Sequence, residues 1–295
     1  MSIKNETLAY KQRKITIRTE DGRALRGDHF TPQSNLVRAG VLICSSTATP
    51  RYIYTKFAQH LASMGFAVIT FDYQGVAESR TIPLREDRAS KQTWGRLDMP
   101  AALDRLHHEH DDVPLFLIGH SVGAQLMGLM HNRDLLHGIA SFGSSYGYWG
   151  YMTAPYKHFV WTMWHIIMPA VLPILGYTPT RSFGFGEDMP MGVGADWSRW
   201  GRKSYYFERE FADEPGFQAL NIPWLSLVAT DDQVATPQSA RALQNFYPNA
   251  KKEMRLLEPR EYGYSHIGHM GFFSGERRKL WPEMTDWLEE QLGLS

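Results

Sequence analysis

The hydrophobic pattern of the first forty residues is that of paired strands at the edge of a sheet. Ile15 and Ile17 alternate with polar residues in "KITIRT", and "RALRGDHF" follows an Asp-Gly turn signal at residues 21 and 22. Alternation with a period of two is typical of a strand with one buried face, and Asp-Gly favours a tight hairpin turn. This stretch predicts an antiparallel hairpin.

From residue 39 the pattern changes to continuous apolar runs separated by amphipathic segments. "AGVLICSS" and "FAVITFDY" are each built around such a run, as expected of strands that are covered on both faces. Between them, "YTKFAQHLASMG" places Phe57, Leu61 and Met64 on one helical face, and Gly65 ends the helix. The three segments predict a βαβ unit.

The alternation of helix and strand continues along the chain with one long interruption. The predicted segments are a helix in "PAALDRLHHEH", a strand in "PLFLIG", a helix from Val122 to about Asn132 and a strand in "HGIASFG", then, after the interruption, a strand in "PWLSLVAT", a helix in "TPQSARALQNFY", a strand in "KKEMRLLE" and a final helix in "ERRKLWPEMTDWLEEQL". Glycine, proline and aromatic residues crowd the interruption. We predict an α/β fold with a mostly parallel sheet and helices on both faces, formed by residues 1–145 and 218–295, with residues 146–217 inserted as a cap.

Composition and charge narrow the range of partners. Lysine plus arginine equals aspartate plus glutamate, at 31 each, so no net field attracts nucleic acid or an anionic membrane. Cys44 is the single cysteine, which excludes an intrachain disulfide, and the opening "MSIKNETLAYKQRK" lacks the apolar stretch of a secretory signal. We expect a cytoplasmic protein that acts on a small molecule and not on nucleic acid. Its oligomeric state is left open.

One segment of the predicted cap has nearly the composition of a membrane helix. "FVWTMWHIIMPAVLPILG", residues 159–176, contains no acidic residue, lysine or arginine. It does contain His165 and two prolines, Pro169 and Pro173, spaced to interrupt a helix, and no second span accompanies it. We expect an apolar lid that could touch lipid, and no stable membrane span.

The pattern G-x-S-x-G occurs twice, and only its surroundings distinguish the two serines. Ser121 lies between Gly119 and Gly123, after the predicted strand "PLFLI" and before a predicted helix. A serine on such a sharp turn is exposed at the carboxyl edge of the sheet, where the first helical amides face a developing anion. Ser145 is followed by "YGYWGYMTAP", whose glycines and proline do not begin a helix. Ser121 is therefore the predicted nucleophile.

Four motifs stand at expected places among the predicted elements. They are "FDYQG", "GHSVG", "TDDQVATP" and "IGHMGFF". In this order they resemble the α/β-hydrolases, in particular the bacterial serine aminopeptidase-like (S33-type) hydrolases, over nearly the whole chain. The resemblance implies the α/β-hydrolase fold, catalytic residues in the order Ser, Asp, His, and an esterase or amidase reaction. The chain departs from the usual "DxRGxGxS" at "DYQGVAES", where Gln74 and Ala77 replace an arginine and a glycine.

The hydroxyl of a nucleophilic serine needs an imidazole to take its proton and an acid to orient that imidazole. The acid should follow a late strand, and "PWLSLVAT" is followed by Asp231 and Asp232. The family's loop has an aspartate, any residue, an apolar residue and then a nearby proline, which matches Asp232, Val234 and Pro237. Asp232 is the predicted acid and Asp231 is the alternative. The unused carboxylate would cap the turn or the next helix.

The base is predicted in the glycine-rich loop after the last strand. His269 matches the family in "GHMGFF", and Phe272 and Phe273 would anchor its loop. His266 precedes it by three residues, a spacing that would suit a metal site on a helix, but the glycines around it predict a loop near the mouth of the site. The cluster "HHEHDD" at residues 107–112 ends a helix, and we interpret it as a solvated face.

The oxyanion of the tetrahedral intermediate is usually held by backbone N–H groups. Val122 supplies one, and the resemblance places the other at Ser46 or Thr47, with Thr47 preferred. These residues predict acyl transfer: Ser121 attacks a carbonyl, His269 relays the proton, Asp232 orients His269, and water hydrolyses the acyl-enzyme. No metal or organic cofactor is needed. The expected substrate is a carboxylic ester with a small or medium apolar acyl group; the alternatives are an amidase or peptidase and a non-catalytic protein that binds a small ligand.

Overall fold

Eight strands form one sheet at the centre of the computed structural model, which describes residues 9–34 and 36–293. The strands in chain order are β1 (Tyr10–Arg18), β2 (Ala24–Pro32), β3 (Ala39–Cys44), β4 (Phe66–Phe71), β5 (Leu115–His120), β6 (Leu136–Phe142), β7 (Tyr177–Thr178), β8 (Met189–Pro190), β9 (Pro223–Ala229) and β10 (Lys251–Leu257). Strands β7 and β8 pair only with each other, and the other eight build the central sheet. Residues 1–8, on which the prediction of no secretory signal largely rests, lie outside the described residues.

The sheet has the order β1-β2-β4-β3-β5-β6-β9-β10. Strands β1 and β2 form the predicted antiparallel hairpin, and β2 is also antiparallel to β4. All the remaining pairs are parallel, as the strand and helix alternation predicts. The mixed, mostly parallel sheet of an α/β-hydrolase is therefore confirmed, and its carboxyl edge gathers the loops that follow β3, β5, β9 and β10.

Helices cover both faces of this sheet. They are α1 (Thr55–Ser63), α2 (Lys91–Thr93), α3 (Met99–Glu109), α4 (Val122–Gln125), α5 (Tyr156–Thr162), α6 (Met168–Leu175), α7 (Met191–Gly201), α8 (Pro215–Ala219), α9 (Pro237–Asn245) and α10 (Pro282–Gln291). The core layer on one face joins α1 and α10, and the layer on the other face joins α3 and α9. Along β3, Val41 and Ile43 belong to the first layer and Leu42 and Cys44 to the second, because successive side chains of a strand point to opposite faces.

The helix after Ser121 is shorter than predicted. α4 ends at Gln125, and a single tight turn at Met127–Leu129 replaces its expected continuation to about residue 132. The hydroxyl of Tyr247 donates to the carbonyl oxygen of Gln125 at 2.8 Å and accepts from the amide of Gly128 at 3.1 Å. In a longer helix, the carbonyl of Gln125 would accept from Leu129 and the amide of Gly128 would donate to Ala124, so the Tyr247 hydroxyl replaces two helical partners. A side chain distant in sequence thus ends the helix.

The segment from 146 to 217 adds no strand to the central sheet and has an apolar cluster of its own. The cluster contains Met152, Val160, Met163, Trp164, Met168 and Leu172. A wider turn at Met163–Ile167 joins α5 to α6, so one helix of 20 residues runs from Tyr156 to Leu175. The prediction that Pro169 and Pro173 interrupt this helix is wrong. Pro169 directly follows the wider turn, and the helix continues through it and through Pro173.

Within the described residues, the helix Tyr156–Leu175 is the one that is long and apolar enough to cross a membrane, by length and composition only. Ile166 and Ile174 on its outer side are exposed, and Val160 and Met168 are buried within the apolar cluster of this segment. The division into a core of residues 1–145 and 218–295 and a cap of residues 146–217 remains a prediction.

Candidate active site

Ser121 occupies the sharp turn between β5 and α4. Its backbone has φ 52° and ψ −111°, a conformation that residues other than glycine rarely adopt. Its amide donates to the carbonyl oxygen of Phe142 at 3.0 Å. The flanking glycines are needed for space. A Cβ on Gly119 would lie 2.6 Å from Ala124, and a Cβ on Gly123 would lie 2.2 Å from the carbonyl oxygen of Cys44.

His269 and Asp232 are joined by a hydrogen bond of 2.7 Å between Nδ1 and Oδ2. The other carboxylate oxygen of Asp232 accepts from the amides of Val234 and Ala235, at 2.8 and 2.9 Å. Burial alone would raise the pKa of Asp232, but the charge of His269 and these hydrogen bonds together hold it below its ordinary value. Asp232 is thus arranged as a buried carboxylate that orients the imidazole of His269.

Asp231 has different partners from its neighbour. Its two oxygens accept from the amides of Ile267 and Gly268, each at 2.9 Å, and Oδ2 lies 2.5 Å from Nδ1 of His266. The structure therefore places Asp232 against His269. Asp231 instead contacts His266 and the backbone just before His269. His266 is exposed at the mouth of the same cavity that His269 lines.

Two buried side chains connect the loops on either side of Ser121. The hydroxyl of Tyr54 accepts from the amide of Ser46 at 2.8 Å and contacts Nδ1 of His120 at 2.8 Å. Nε2 of His120 lies 2.8 Å from the carbonyl oxygen of His269. Burial, reinforced by the neighbouring ring of His269, lowers the pKa of His120 to about 3. The ring is therefore neutral, with its proton on Nε2, because a carbonyl oxygen only accepts.

The Tyr54 and His120 pair was not among the predicted site residues. His120 stands inside "GHSVG", so its position next to Ser121 is visible in the sequence, but its contact with residues 46 and 269 depends on tertiary packing. Through this pair, the loop after β3 and the loop that carries His269 are held in one hydrogen-bonded chain.

The loop after β3 contains the two residues considered as oxyanion donors. The amide of Ser46 is occupied by Tyr54, whereas the amide of Thr47 has no acceptor among the described residues. Val122 is the first residue of α4, so its amide has no partner within that helix. The next loop residue, Ala48, has φ 59°, and its carbonyl oxygen accepts from the amide of Glu187 in the cap segment at 2.8 Å.

A cavity of about 740 Å³ opens beside Ser121 and His269. The segment between β6 and β9 supplies the largest share of its wall, and the apolar lining includes Met152, Val160, Met163, Trp164 and Trp197. Gln125, Ser145 and Lys91 are polar members of the same wall. No hydrogen bond joins the hydroxyl of Ser121 to the ring of His269 within the described residues.

The predicted solvated face "HHEHDD" in fact meets a buried histidine from β2. His29, Glu109 and His110 each offer one ligand atom, and these three atoms lie within 4.8 Å of one another. Such a grouping could hold a metal ion. Both oxygens of Glu109 are engaged by guanidinium groups, one from Arg13 and one from Arg105. The described contacts are those of a hydrogen-bonded charge network, and its members do not line the cavity beside Ser121.

A comparison with family profiles identifies the family of the chain. The sequence profile of the family "Serine aminopeptidase, S33" matches residues 36–184, just over half of the 295 residues. No protein in a search of curated sequences matches the chain.

Solved structures share the fold at low sequence identity. A soluble variant of monoglyceride lipase from Saccharomyces cerevisiae, in complex with a substrate analog, is 16% identical with a TM-score of 0.65, over 99% of this chain and 97% of that one. An esterase from Exiguobacterium antarcticum is 14% identical with a TM-score of 0.60, over 94% and 100%. An esterase from Pyrococcus furiosus is 14% identical with a TM-score of 0.59, over 98% and 96%. The chain belongs to the serine aminopeptidase S33 family of the α/β-hydrolase superfamily.

Proposed function

We propose that the protein is a serine hydrolase that cleaves a carboxylic ester with a small or medium apolar acyl group. The observation that carries this proposal is the arrangement of Ser121 on a strained turn, beside a cavity that His269 also lines with Asp232 bonded behind it. A nucleophile, a base and an acid that orients the base are the parts that acyl transfer requires.

In the proposed reaction, the hydroxyl of Ser121 attacks the ester carbonyl and Nε2 of His269 takes its proton. Nδ1 of His269 donates to Asp232, which fixes the tautomer and stabilises the imidazolium. His269 then protonates the leaving alcohol, and water attacks the acyl-enzyme by the same route. The bond between Ser121 and His269 is expected to form with substrate, because such bonds are often long before substrate binds.

The oxyanion is proposed to be held by the amides of Val122 and Thr47. Val122 directly follows Ser121 and its amide has no partner within α4, so it is free to donate to the anion. Thr47 is favoured over Ser46, because the Ser46 amide already donates to Tyr54. Tyr54 and His120 would act as positioning residues that hold the Thr47 loop at a fixed distance from the His269 loop.

The apolar wall of the cavity favours an apolar acyl group. Each added methylene should gain up to about 0.8 kcal/mol until the wall is fully covered. The test is kcat/KM across p-nitrophenyl esters from acetate upward, with Ser121→Ala as the blank. We expect a rise over the first few carbons and then a fall; a steady decrease from acetate would contradict the apolar acyl site.

Amide or peptide cleavage is the second candidate, and the family's description as serine aminopeptidase favours it. The same triad serves both reactions, so the substrate series must separate them. Amino-acid p-nitroanilides measured beside the esters provide that separation. Activity confined to the anilides would place the peptidase function first, and no turnover of either class would favour a protein that only binds a small ligand.

The outer side of the helix Tyr156–Leu175 is proposed to touch lipid without crossing a membrane. Ile166 and Ile174 are exposed along it. Exposed apolar side chains on one side of a helix can bury themselves at a lipid interface. Flotation with phosphatidylcholine vesicles should show weak binding that Ile166→Ser with Ile174→Ser reduces; no flotation of the unchanged protein would contradict it.

A further inference from the structure

Lys91 is a buried lysine in the wall of the candidate active-site cavity. It begins α2, its side chain is 1% exposed, and it lines the cavity together with Gln125 and Trp197. Lysine side chains usually keep the ammonium group in water and bury only the methylene stem. A lysine whose whole side chain is enclosed at a cavity wall therefore calls for a partner.

The ammonium of Lys91 has no such partner within the described part of the chain. Its Nζ lies 4.7 Å from the centre of the Trp197 ring and 6.0 Å from that of Trp200, and it makes no hydrogen bond or salt bridge among these residues. The ring face of Trp197 attracts a cation but cannot accept the three N–H bonds that an ammonium offers.

The nearest acid does not fill this role. Asp196 accepts from the guanidinium of Arg199 at 2.6 Å and from the backbone amides of Lys91 and Gln92 at 3.1 and 3.4 Å. Its carboxylate is therefore directed at the backbone of α2 and at Arg199. Burial lowers the pKa of Lys91 to about 7, against the opposing attraction of Asp196, which agrees with an ammonium that lacks close acceptors.

We propose that Lys91 binds a negatively charged group of the substrate, of the carboxylate type, on the part of the cavity wall next to Trp197. The proposal rests on the proposed hydrolase function, because it takes the occupant of the cavity to be the substrate. It makes Lys91 a specificity-determining residue: the ester is apolar along most of its length and carries an acidic group that meets Lys91.

Charge explains why an anion fits better than a neutral oxygen. In an enclosed site of low dielectric, an anion accepts hydrogen bonds from the free N–H groups and also compensates the buried positive charge. A neutral carbonyl accepts the hydrogen bonds but leaves the charge uncompensated. Gln125 does not compete for that anion, since it is already engaged with Ser145 and Tyr206. Nε1 of Trp164, which packs on Trp197 in the same wall, is a buried donor without a partner among the described residues, and it would add to the attraction of Lys91.

Binding of hexanoate and of 1-hexanol, measured by isothermal titration calorimetry, tests this assignment. The two probes have equal chain length and differ in charge. The variant is Lys91→Met, and the matched control is Lys203→Met, which removes an exposed lysine of the cap segment. Lys91→Gln serves as a second variant if Lys91→Met does not fold. A charge-assisted bond predicts that hexanoate binds Lys91→Met at least about tenfold more weakly than the unchanged protein or Lys203→Met.

Hexanol separates loss of the ammonium from damage to the cavity, and we expect its affinity to be equal or higher in Lys91→Met. Equal hexanoate affinity with and without Lys91 would overturn the proposal, as would parallel loss of hexanoate and hexanol in both Lys91 variants. Because these measurements need no turnover, they stand apart from the hydrolase function. Hydrolysis of p-nitrophenyl butyrate, a neutral ester, should be retained in Lys203→Met, and its absence from both the unchanged protein and Lys203→Met would contradict the hydrolase function alone.

Discussion

Gly143 packs directly against the imidazole of His269. A Cβ at this position would lie 3.1 Å from Cε1 and Nδ1 of His269 and 3.3 Å from Oδ2 of Asp232. Its φ of 61° is also in the region that favours glycine. Gly143 opens the second G-x-S-x-G sequence, the one that holds Ser145. Its role is thus to give room to the His269 and Asp232 pair.

Gly143→Ala should therefore lower turnover by displacing His269. A shift on the order of 1 Å in a catalytic group can cost about 10²-fold in rate. Gly22→Ala is the control, because Gly22 has φ 81° and no atom within 4 Å of the position that a Cβ would take, so it reports only the backbone strain. The measurements are kcat and thermal unfolding of both variants. Equal kcat in the two would show that His269 tolerates the added methyl group.

Asp232→Asn should reduce kcat far more than Asp231→Asn. Asp232 fixes the tautomer of His269, and losses on the order of 10⁴ are known for such a change in a triad. Asp231→Asn weakens the bonds to the amides of Ile267 and Gly268, so it should chiefly loosen the loop. The reverse order of the two variants in steady-state kinetics would assign the acid to Asp231.

Gly186→Ala should lower kcat through the loop after β3, although residue 186 lies in the cap segment. A Cβ there would lie 2.2 Å from the carbonyl oxygen of Ala48, next to the proposed donor Thr47. Gly184 is a close control, with φ 77° against 84° for Gly186 and open space around it. We expect Gly184→Ala to retain activity while Gly186→Ala loses it. Similar kcat values in the two variants would mean that the contact between Gly186 and Ala48 does not affect catalysis.

Lys91→Met should stabilise the fold, most strongly at low pH. Burial lowers the pKa of Lys91 from 10.5 to about 7, so the folded state disfavours the proton that the unfolded chain keeps up to about pH 10.5. The stability of the unchanged protein therefore rises between these two values, whereas that of Lys91→Met lacks this rise. Urea unfolding from pH 6 to 10 should show the advantage of the variant shrinking as pH rises. A constant difference would mean that Lys91 is not desolvated.

The sequence predicts the layout of the sheet well because its strands are covered on both faces and read as continuous apolar runs. The turn at Ser121 is equally predictable, since small residues at 119 and 123 are a local requirement. The early end of α4 is not, because it depends on the hydroxyl of Tyr247, more than 100 residues away. The chain of bonds through Tyr54 and His120 is likewise a product of packing.

The departures from the family's "DxRGxGxS" also show where local patterns stop being informative. Ala77 replaces a glycine and nevertheless adopts φ 42°, in the region that favours glycine. Gln74 replaces an arginine and bonds to Asp98, while Arg51, from a different loop, pairs with Asp72. The loop is held by contacts that no single motif encodes.

Labelling by a fluorophosphonate probe tests the assignment of Ser121 most directly. The probe reacts with a serine that an adjacent base activates, so it reports the nucleophile without knowledge of the substrate. We predict that Ser121→Ala abolishes both labelling and ester hydrolysis, a loss on the order of 10⁶ in a comparable triad enzyme, and that Ser145→Ala retains both. Labelling that persists in Ser121→Ala and disappears in Ser145→Ala would contradict the account.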